Sequence, residues 1–287
     1  MHTLAIDIGG TKIALGLVRN GQLIERTQLP TPKAQNAEQF AQAILAHADK
    51  WLPEINKIGV STTGLVTKDG ISAINPDTLA FPSPFPLAQA LESLTNKPVA
   101  MLNDAQAAAW YEFKALGSTI DNMAFITVST GVGGGVVINR QLHQGNAGLA
   151  GHIGHTVIEL DGPKCGCGQT GCVEAIASGT AIKKASDDYF FPHISNIDLF
   201  SLASKNQHAE AIIARSANAI AALCCNLKAT LDLDIIVLGG GIGLATGYLD
   251  RVNKAIASRP GAFQVSVVAA KGDYDACLLG AAYQFKE

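Results

Sequence analysis

Cys165, Cys167 and Cys172, with His155 ten residues before the first of them, form the sharpest chemical grouping in the chain. Three thiolates and one imidazole make a closed Cys3His set, of the type that holds structural zinc tetrahedrally. The interleaved Gly166, Gly168 and Gly171 let the backbone fold tightly enough for three sulfurs to converge. Three free thiols in a loop, or a transient disulfide, are the competing readings; cysteines clustered in a Gly-rich loop of a reducing compartment favour a metal. Four protein ligands leave no open position for water, so a catalytic metal is not expected. Cys224, Cys225 and Cys277 fall in helical segments and read as small core residues.

Two glycine turns suit phosphate groups. Asp7-Ile-Gly9-Gly10-Thr11-Lys12 lies between two expected strands. Its glycines allow close backbone approach, and successive N–H groups with the Thr11 hydroxyl can cradle an anion. Asp7, at a strand end, has the position to hold Mg2+ directly or through water. An ordinary tight hairpin with a solvated Lys12 is the plain alternative. Ser129-Thr130-Gly131-Val132-Gly133-Gly134-Gly135 repeats the strand–glycine–strand pattern, and a third expected strand ends in Gly239-Gly240-Gly241. No G-x-x-x-x-G-K-[ST] occurs, which excludes a Walker P-loop. Leu244 stands where a dinucleotide fingerprint needs its third glycine.

Asn103-Asp104 falls where a strand meets an Ala-rich helix. One reading is an N-cap, with Asn103 and Gln106 as a capping box. The other is a general base that orients a hydroxyl attacking a γ-phosphate, a reaction whose loose transition state rewards positioning above full proton abstraction.

The elements that must position these groups follow from periodicity. Strands are expected at Thr3–Ile8, Ile13–Val18 and Leu23–Leu29, with Asn20-Gly21 as the hairpin between the last two. Residues 36–52 read as an amphipathic helix with Phe40, Ile44, Ala48 and Trp51 on one face. Lys57–Thr63 is a strand, Ala73–Pro86 a loop, and Val99–Leu102 a strand feeding a helix from Ala105 to about Leu116. Asn122–Val128 and a strand reaching Asn139 restart the pattern, which implies a duplicated fold with a cleft between its halves. Ile213, Ala217, Ile220, Cys224, Leu227 and Leu231 mark one buried helical stripe, Asp234–Leu238 a buried strand, and Ala276–Phe285 a terminal helix.

Bulk properties narrow the function. With 48% hydrophobic and 16% charged residues over 287 positions, the chain holds enough apolar material for two domains and is not disordered. A net charge of −3 without a basic cluster argues against a nucleic-acid groove. MHTLAIDIGG lacks the marks of a signal peptide, and no uninterrupted apolar run suits a membrane span, so a cytoplasmic protein without membrane partners is expected.

Taken together these residues resemble the ROK family of bacterial sugar kinases and related repressors, over essentially the whole chain. Asp7–Lys12 resembles its first phosphate motif, Ser129–Gly135 its second and Leu238–Gly243 its adenosine motif; Gly154-His155 followed by Cys165-x-Cys167-Gly-x-x-Gly171-Cys172-x-Glu174 resembles its zinc signature. The resemblance implies an α/β, actin-like ATPase fold (ribonuclease H-like) of two domains flanking a nucleotide and sugar cleft. Residues 1–115 would form the first domain, 116–275 the second with the zinc loop, and helix 276–287 would return to the first. It implies ATP, Mg2+ and structural Zn2+ as cofactors and a homodimer as the assembly. ATP contacts would come from Ala5, Ile6, Asp7, Ile8, Gly9, Gly10, Thr11 and Lys12, from Thr130, Gly131, Val132, Gly133, Gly134 and Gly135, and from Gly239, Gly240 and Gly241. Asp104 would be the catalytic base, and Gly64, Asn75, Asn103, Asp104, His152, His155 and Glu174 would meet the sugar.

His152-Ile-Gly-His155 stands where glucose-type members carry Glu-x-Gly-His, exchanging a carboxylate acceptor for an imidazole with one acceptor and one donor. Leu149–Thr156, Asn103–Ala108 and Val173–Ser178 resemble members that phosphorylate N-acetylmannosamine in sialic acid catabolism, which makes that sugar the expected acceptor and glucose or another hexose the alternative. Repressors of the family carry an N-terminal helix-turn-helix, whereas the first phosphate motif here begins at Asp7, so a kinase is expected.

Overall fold

Three strands open the chain as an antiparallel meander: β1 (His2–Ile8), β2 (Lys12–Arg19) and β3 (Gln22–Pro30). Asn20 and Gly21 both adopt left-handed backbone, φ 48° and 75°, which matches the twist of the strands they join. After α1 (Ala37–Leu45), β4 (Lys57–Thr62) pairs parallel with β1. A small hairpin, β5 (Leu65–Thr67) and β6 (Gly70–Ser72), precedes α2 (Leu87–Thr95). β7 (Val99–Asn103) then pairs parallel with β4 and runs directly into α3 (Asp104–Leu116). The sheet order is β3-β2-β1-β4-β7.

The pattern repeats. β8 (Met123–Val128), β9 (Val132–Ile138) and β10 (Gln141–His143) form a second meander, followed by α4 (Val173–Ala177), α5 (Gly179–Asp187), α6 (Asn196–Leu202) and α7 (Gln207–Leu231). β11 (Ile235–Gly239), α8 (Tyr248–Ala257), β12 (Ser266–Ala269) and α9 (Ala276–Ala282) complete the chain. The second sheet has order β10-β9-β8-β11-β12, the same connectivity as the first. This computed structural model describes residues 2–73, 82–117, 119–272 and 275–285. Its two units are Met1–Ala115 with Gln144–Leu149 and Gly272–Glu287, and Leu116–His143 with Ala150–Lys271.

Two sequence expectations shift. The helix at 36–52 ends at Leu45, because bonds reaching back three residues (His47 to Ile44, Ala48 to Leu45, Trp51 to Ala48) interrupt the four-residue ladder and tighten the chain into successive turns. Ala48 and Trp51 remain buried all the same, at 0% and 1% exposure. On α7, Ile213, Ala217, Ile220, Cys224 and Leu227 form the buried stripe, but Leu231, at the last turn, lies 36% exposed where the helix runs past its core. α2, α4, α5, α6, α8, β10, β12 and the β5–β6 hairpin lie outside the elements expected from the sequence, although α8 buries Tyr248, Val252 and Ile256 along one face.

α9 packs within the first unit, its Leu278 and Ala282 joining Ala5 and Val18 in a small apolar cluster. It approaches α3 so closely that a Cβ on Gly280 would stand 1.8 Å from the Ala107 carbonyl oxygen. Backbone cannot yield as a side chain can. Gly280→Ala is therefore expected to destabilise the protein by roughly 1–3 kcal/mol, the usual cost of overpacking, read as a lower urea midpoint at unchanged m-value.

Candidate active site

In the first unit, register sets the chemistry. Asp7 pairs with Ser61 across β1 and β4, and Thr62 with Asn103 across β4 and β7. Asp7, Ser61, Asn103 and Asp104 thus gather at the carboxyl edge of three parallel strands, where backbone pairing stops and α/β folds place ligands. The Ser61 hydroxyl donates to Asp7 Oδ1 at 2.6 Å. Burial pushes the Asp7 carboxyl above its ordinary range, while the Ser61 hydrogen bond and then the Arg26 charge pull it back.

Asp104 is the first residue of α3 and accepts the Ala105 N–H at 2.8 Å. Burial, reinforced by the charge of Asp7, pushes its pKa up to about 6 against the hydrogen bond from Ala105. Asn103 caps the same helix: its Oδ1 accepts from Ala105 N at 3.0 Å and from Gln106 N at 3.4 Å, and Gln106 Oε1 accepts the Asn103 N–H at 3.4 Å. The capping box is real, and Asp104 shares only the Ala105 N–H with it. Asn103 Nδ2 donates to the Gly64 carbonyl at 3.0 Å, which Gly64 presents from a left-handed backbone, φ 94°.

The glycine turns divide into exposed and buried parts. Ala5, Ile6 and Ile8 place their side chains in core, so the open surface of the first motif is Gly10, Thr11 and Lys12. The turn is fixed by Gly9 N–H to the Lys12 carbonyl at 3.0 Å and by the Thr31 hydroxyl to the Gly9 carbonyl at 2.7 Å. In the second motif, Thr130 is exposed and Gly131 and Gly133 half-buried, whereas Val132, Gly134 and Gly135 are buried. A Cβ on Gly134 would meet the Ile153 side chain at 2.3 Å and one on Gly154 the Val132 carbonyl at 2.0 Å. Those glycines let β9 touch the turn that carries His155. Gly239 is buried at the end of β11, Gly240 turns with φ 85°, and Gly241 faces open space.

His155, Cys165, Cys167 and Cys172 converge: their donor atoms all lie within 4.8 Å of one another. Cys165 Sγ stands 3.6 Å from His155 Nδ1, and Cys167 Sγ stands 3.7 Å from Cys172 Sγ. A tetrahedral ion about 2.3 Å from sulfur and about 2.0–2.1 Å from nitrogen calls for edges of roughly 3.6 and 3.8 Å. All six cysteines are free, so the cluster is not a disulfide. Burial and then the neighbouring thiols push Cys172 up to about 12, a protonated state that a bound cation would reverse. Glu174 ties this cluster to the second glycine turn: its Oε2 accepts the Val132 N–H at 3.0 Å while its Oε1 lies 4.0 Å from His155 Nδ1.

His152 Nε2 is buried and has no hydrogen-bond partner among the described residues. Burial first, and the nearby His155 second, hold its pKa below the ordinary value, which favours the neutral ring. Asn75 lies outside the described residues. Ser61 and Thr62, both fully buried, were not singled out from sequence. Their signal is two hydroxyl residues that follow Ile58-Gly-Val60 at the end of the strand.

A sequence model of the ROK family matches residues 3–287. A relative from Vibrio cholerae, named N-acetylmannosamine kinase, is 65% identical over 287 residues, covering 100% of each chain. One of the same name from Escherichia coli K12 is 46% identical over 283 residues, 98% of this chain and 97% of its own. Among solved structures, a ROK hexokinase from Thermus thermophilus has a TM-score of 0.84 at 32% identity, covering 98% of this chain and 97% of that one. A ROK glucokinase from Streptomyces griseus, solved with glucose and AMPPNP, has a TM-score of 0.77 at 29% identity over 98% of both chains.

The raised pKa of Asp104 has a consequence for stability. Its contribution is full below the unfolded value of 3.8 and is lost as pH rises through about 6, because the folded protein binds this proton more tightly. At about 1.4 kcal/mol per pKa unit, ionised Asp104 costs on the order of 3 kcal/mol at neutral pH. Asp104→Asn is expected to be more stable than the native protein at pH 8 and no more stable at pH 4. Urea unfolding at the two pH values checks this, and an equal gap at both would remove burial of the carboxylate as its cause.

Proposed function

The chain belongs to the ROK family, and from that premise we propose that it transfers the γ-phosphoryl group of ATP to the 6-hydroxyl of N-acetylmannosamine. Its fold is that of the actin-like ATPases, built on two sheets of matching connectivity. The observation that carries the reading is Asp104: a deeply set carboxylate at the amino end of a helix, its pKa near 6, beside Asp7 and away from any pairing cation among the described residues. Such a group is ionised at neutral pH yet close enough to it to take a proton, which suits a general base.

In the proposed reaction, the sugar's 6-oxygen forms a bond to the γ-phosphorus as the bond to the β–γ bridging oxygen breaks, and the hydroxyl proton passes to an Asp104 carboxylate oxygen. ADP and the sugar 6-phosphate leave. Because the transition state is loose, alignment of the hydroxyl by Asp104 contributes more than its basicity. Backbone N–H groups of Gly10–Lys12 and Thr130–Gly131 receive phosphate oxygens, and the open face of Gly241 admits the adenosine end. Mg2+, held through Asp7, would neutralise charge on the β- and γ-phosphates; the Ser61 hydrogen bond fixes Asp7 for that task.

Gly64, Asn75, Asn103, His155 and Glu174 supply the remaining sugar contacts. His152 reads the substituent that distinguishes an acetamido sugar from glucose, its unpartnered Nε2 pairing with a polar atom of the acceptor. His155, Cys165, Cys167 and Cys172 would hold zinc, whose chemistry here is to fix the ring of His155 and the segment around it. The donor spacing supports that assignment. A reducing cytoplasm agrees with the unpaired cysteines, and a homodimer is the assembly we propose, as the family resemblance implies.

A coupled ADP-release assay comparing N-acetylmannosamine, N-acetylglucosamine, glucose and mannose tests the substrate. kcat/KM for N-acetylmannosamine should exceed the others by orders of magnitude; a preference for glucose would keep the kinase and remove the acetamido role of His152. In the same assay kcat/KM should fall about tenfold per pH unit below pH 6, as Asp104 is protonated. Asp104→Ala should abolish transfer with sugar binding retained. The metal is tested separately: purified protein should contain about one equivalent of zinc, and chelation should weaken sugar binding. Chelated, metal-free enzyme with unaltered sugar affinity would count against an orienting ion.

A further inference from the structure

α3 has a second task besides presenting Asp104. The chain crosses from one unit to the other after Ala115, around the segment Gln144–Leu149, and before Gly272. The middle crossing is a short strap that belongs to the first unit, and Gly148 within it is held from two sides. Gln106 Nε2 donates to the Gly148 carbonyl at 3.3 Å. On the other side, a Cβ at Gly148 would stand 2.1 Å from the Val66 carbonyl oxygen, and the residue has φ 75°. Gln106 is 2% exposed, and its Oε1 accepts the Asn103 N–H at 3.4 Å. One buried carboxamide therefore spans from the residue next to Asp104 to a strap that reaches His152 four residues later.

We propose that Gln106 is a positioning residue for the phosphoryl transfer: it makes the Asn103-Asp104 corner and the Gly148 strap one piece, so the segment leading to His152 leaves the first unit from a point fixed to the base. The inference rests on Asp104 being that base. Only a carboxamide offers the required donor and acceptor together; glutamate lacks the donor and methionine lacks both. Neither hydrogen bond is short, so neither adds much by itself. Their loss acts through geometry, since a displacement of about 1 Å at a reacting group costs about 100-fold in rate.

The test compares Gln106→Met, Gln106→Glu, Gly148→Ala and the Gln106→Met/Gly148→Ala double variant with the native enzyme and with Asp104→Asn, all as full chains. Steady-state kinetics are read with ATP and N-acetylmannosamine, and folding by thermal melts. Each single variant should lose about tenfold or more in kcat while KM for ATP stays within about twofold. The double variant should be no slower than the worse single one, because both changes release the same strap. A purely structural role predicts lower melting temperatures, unaltered kcat per folded molecule and additive effects; that pattern, or native kcat in Gln106→Met, overturns the proposal. If Gln106→Met does not fold, Gln106→Glu, which keeps the acceptor for Asn103, decides on the same criteria. Asp104→Asn with native kcat would overturn the base reading itself, and is distinguishable because it does not involve the strap.

Discussion

Parallel pairing of β1, β4 and β7 in one register governs the chemistry of the first unit. A parallel ladder starts and stops its strands together on one side of a sheet, leaving backbone groups and the first residues of following helices gathered at a single edge. Here that edge brings Asp7, Ser61, Asn103 and Asp104 together from positions scattered over about a third of the chain. Slipping β7 by one residue against β4 would turn Asn103 to the opposite face and carry Asp104 away from Asp7. The capping of α3 by Asn103 is local to residues 103–106, and it makes the carboxylate's position rigid rather than merely near.

The second unit solves a different problem with the same connectivity. Its sheet must support a loop of three cysteines and a histidine, none of them on a strand. Contact between β9 and the His155 turn is made possible by Gly134 and Gly154, where side chains would collide with Ile153 and with backbone. Glu174 then links the β8–β9 turn to the ligand cluster through the Val132 N–H. The glycine turn, the Cys3His cluster and its neighbouring His152 are thereby parts of one packed assembly within this unit. A disturbance at the cysteines would be felt at the glycine turn through two or three contacts.

Burial recurs as the physical means by which these groups are tuned. It raises the Asp104 pKa toward neutrality, disfavours the charged form of His152 and leaves His152 Nε2 without a partner among the described residues. Each is a cost to folding, and each becomes an advantage once a ligand with the matching polarity arrives. The apolar cores under the two sheets are extensive enough to carry such costs.

Residue type and spacing were sufficient by themselves for the Cys3His set, the Asn20-Gly21 hairpin, the two strand–glycine–strand units and the strand-to-helix junction at Asn103-Asp104. Those are local patterns, and the chemistry of a cap, a turn or a ligand set is written in adjacent residues. Tertiary structure alone decided the rest. Ser61 reaches Asp7 only through strand pairing across 54 positions. The glycines of the second motif serve both an exposed turn and close packing, a distinction no spacing can express. Gln106 reads in sequence as half of a capping box, and only the fold shows its other end on Gly148, 42 residues away. Helix ends and the exposure of Leu231 likewise follow from what lies opposite, because burial is a property of two surfaces and a sequence pattern describes one.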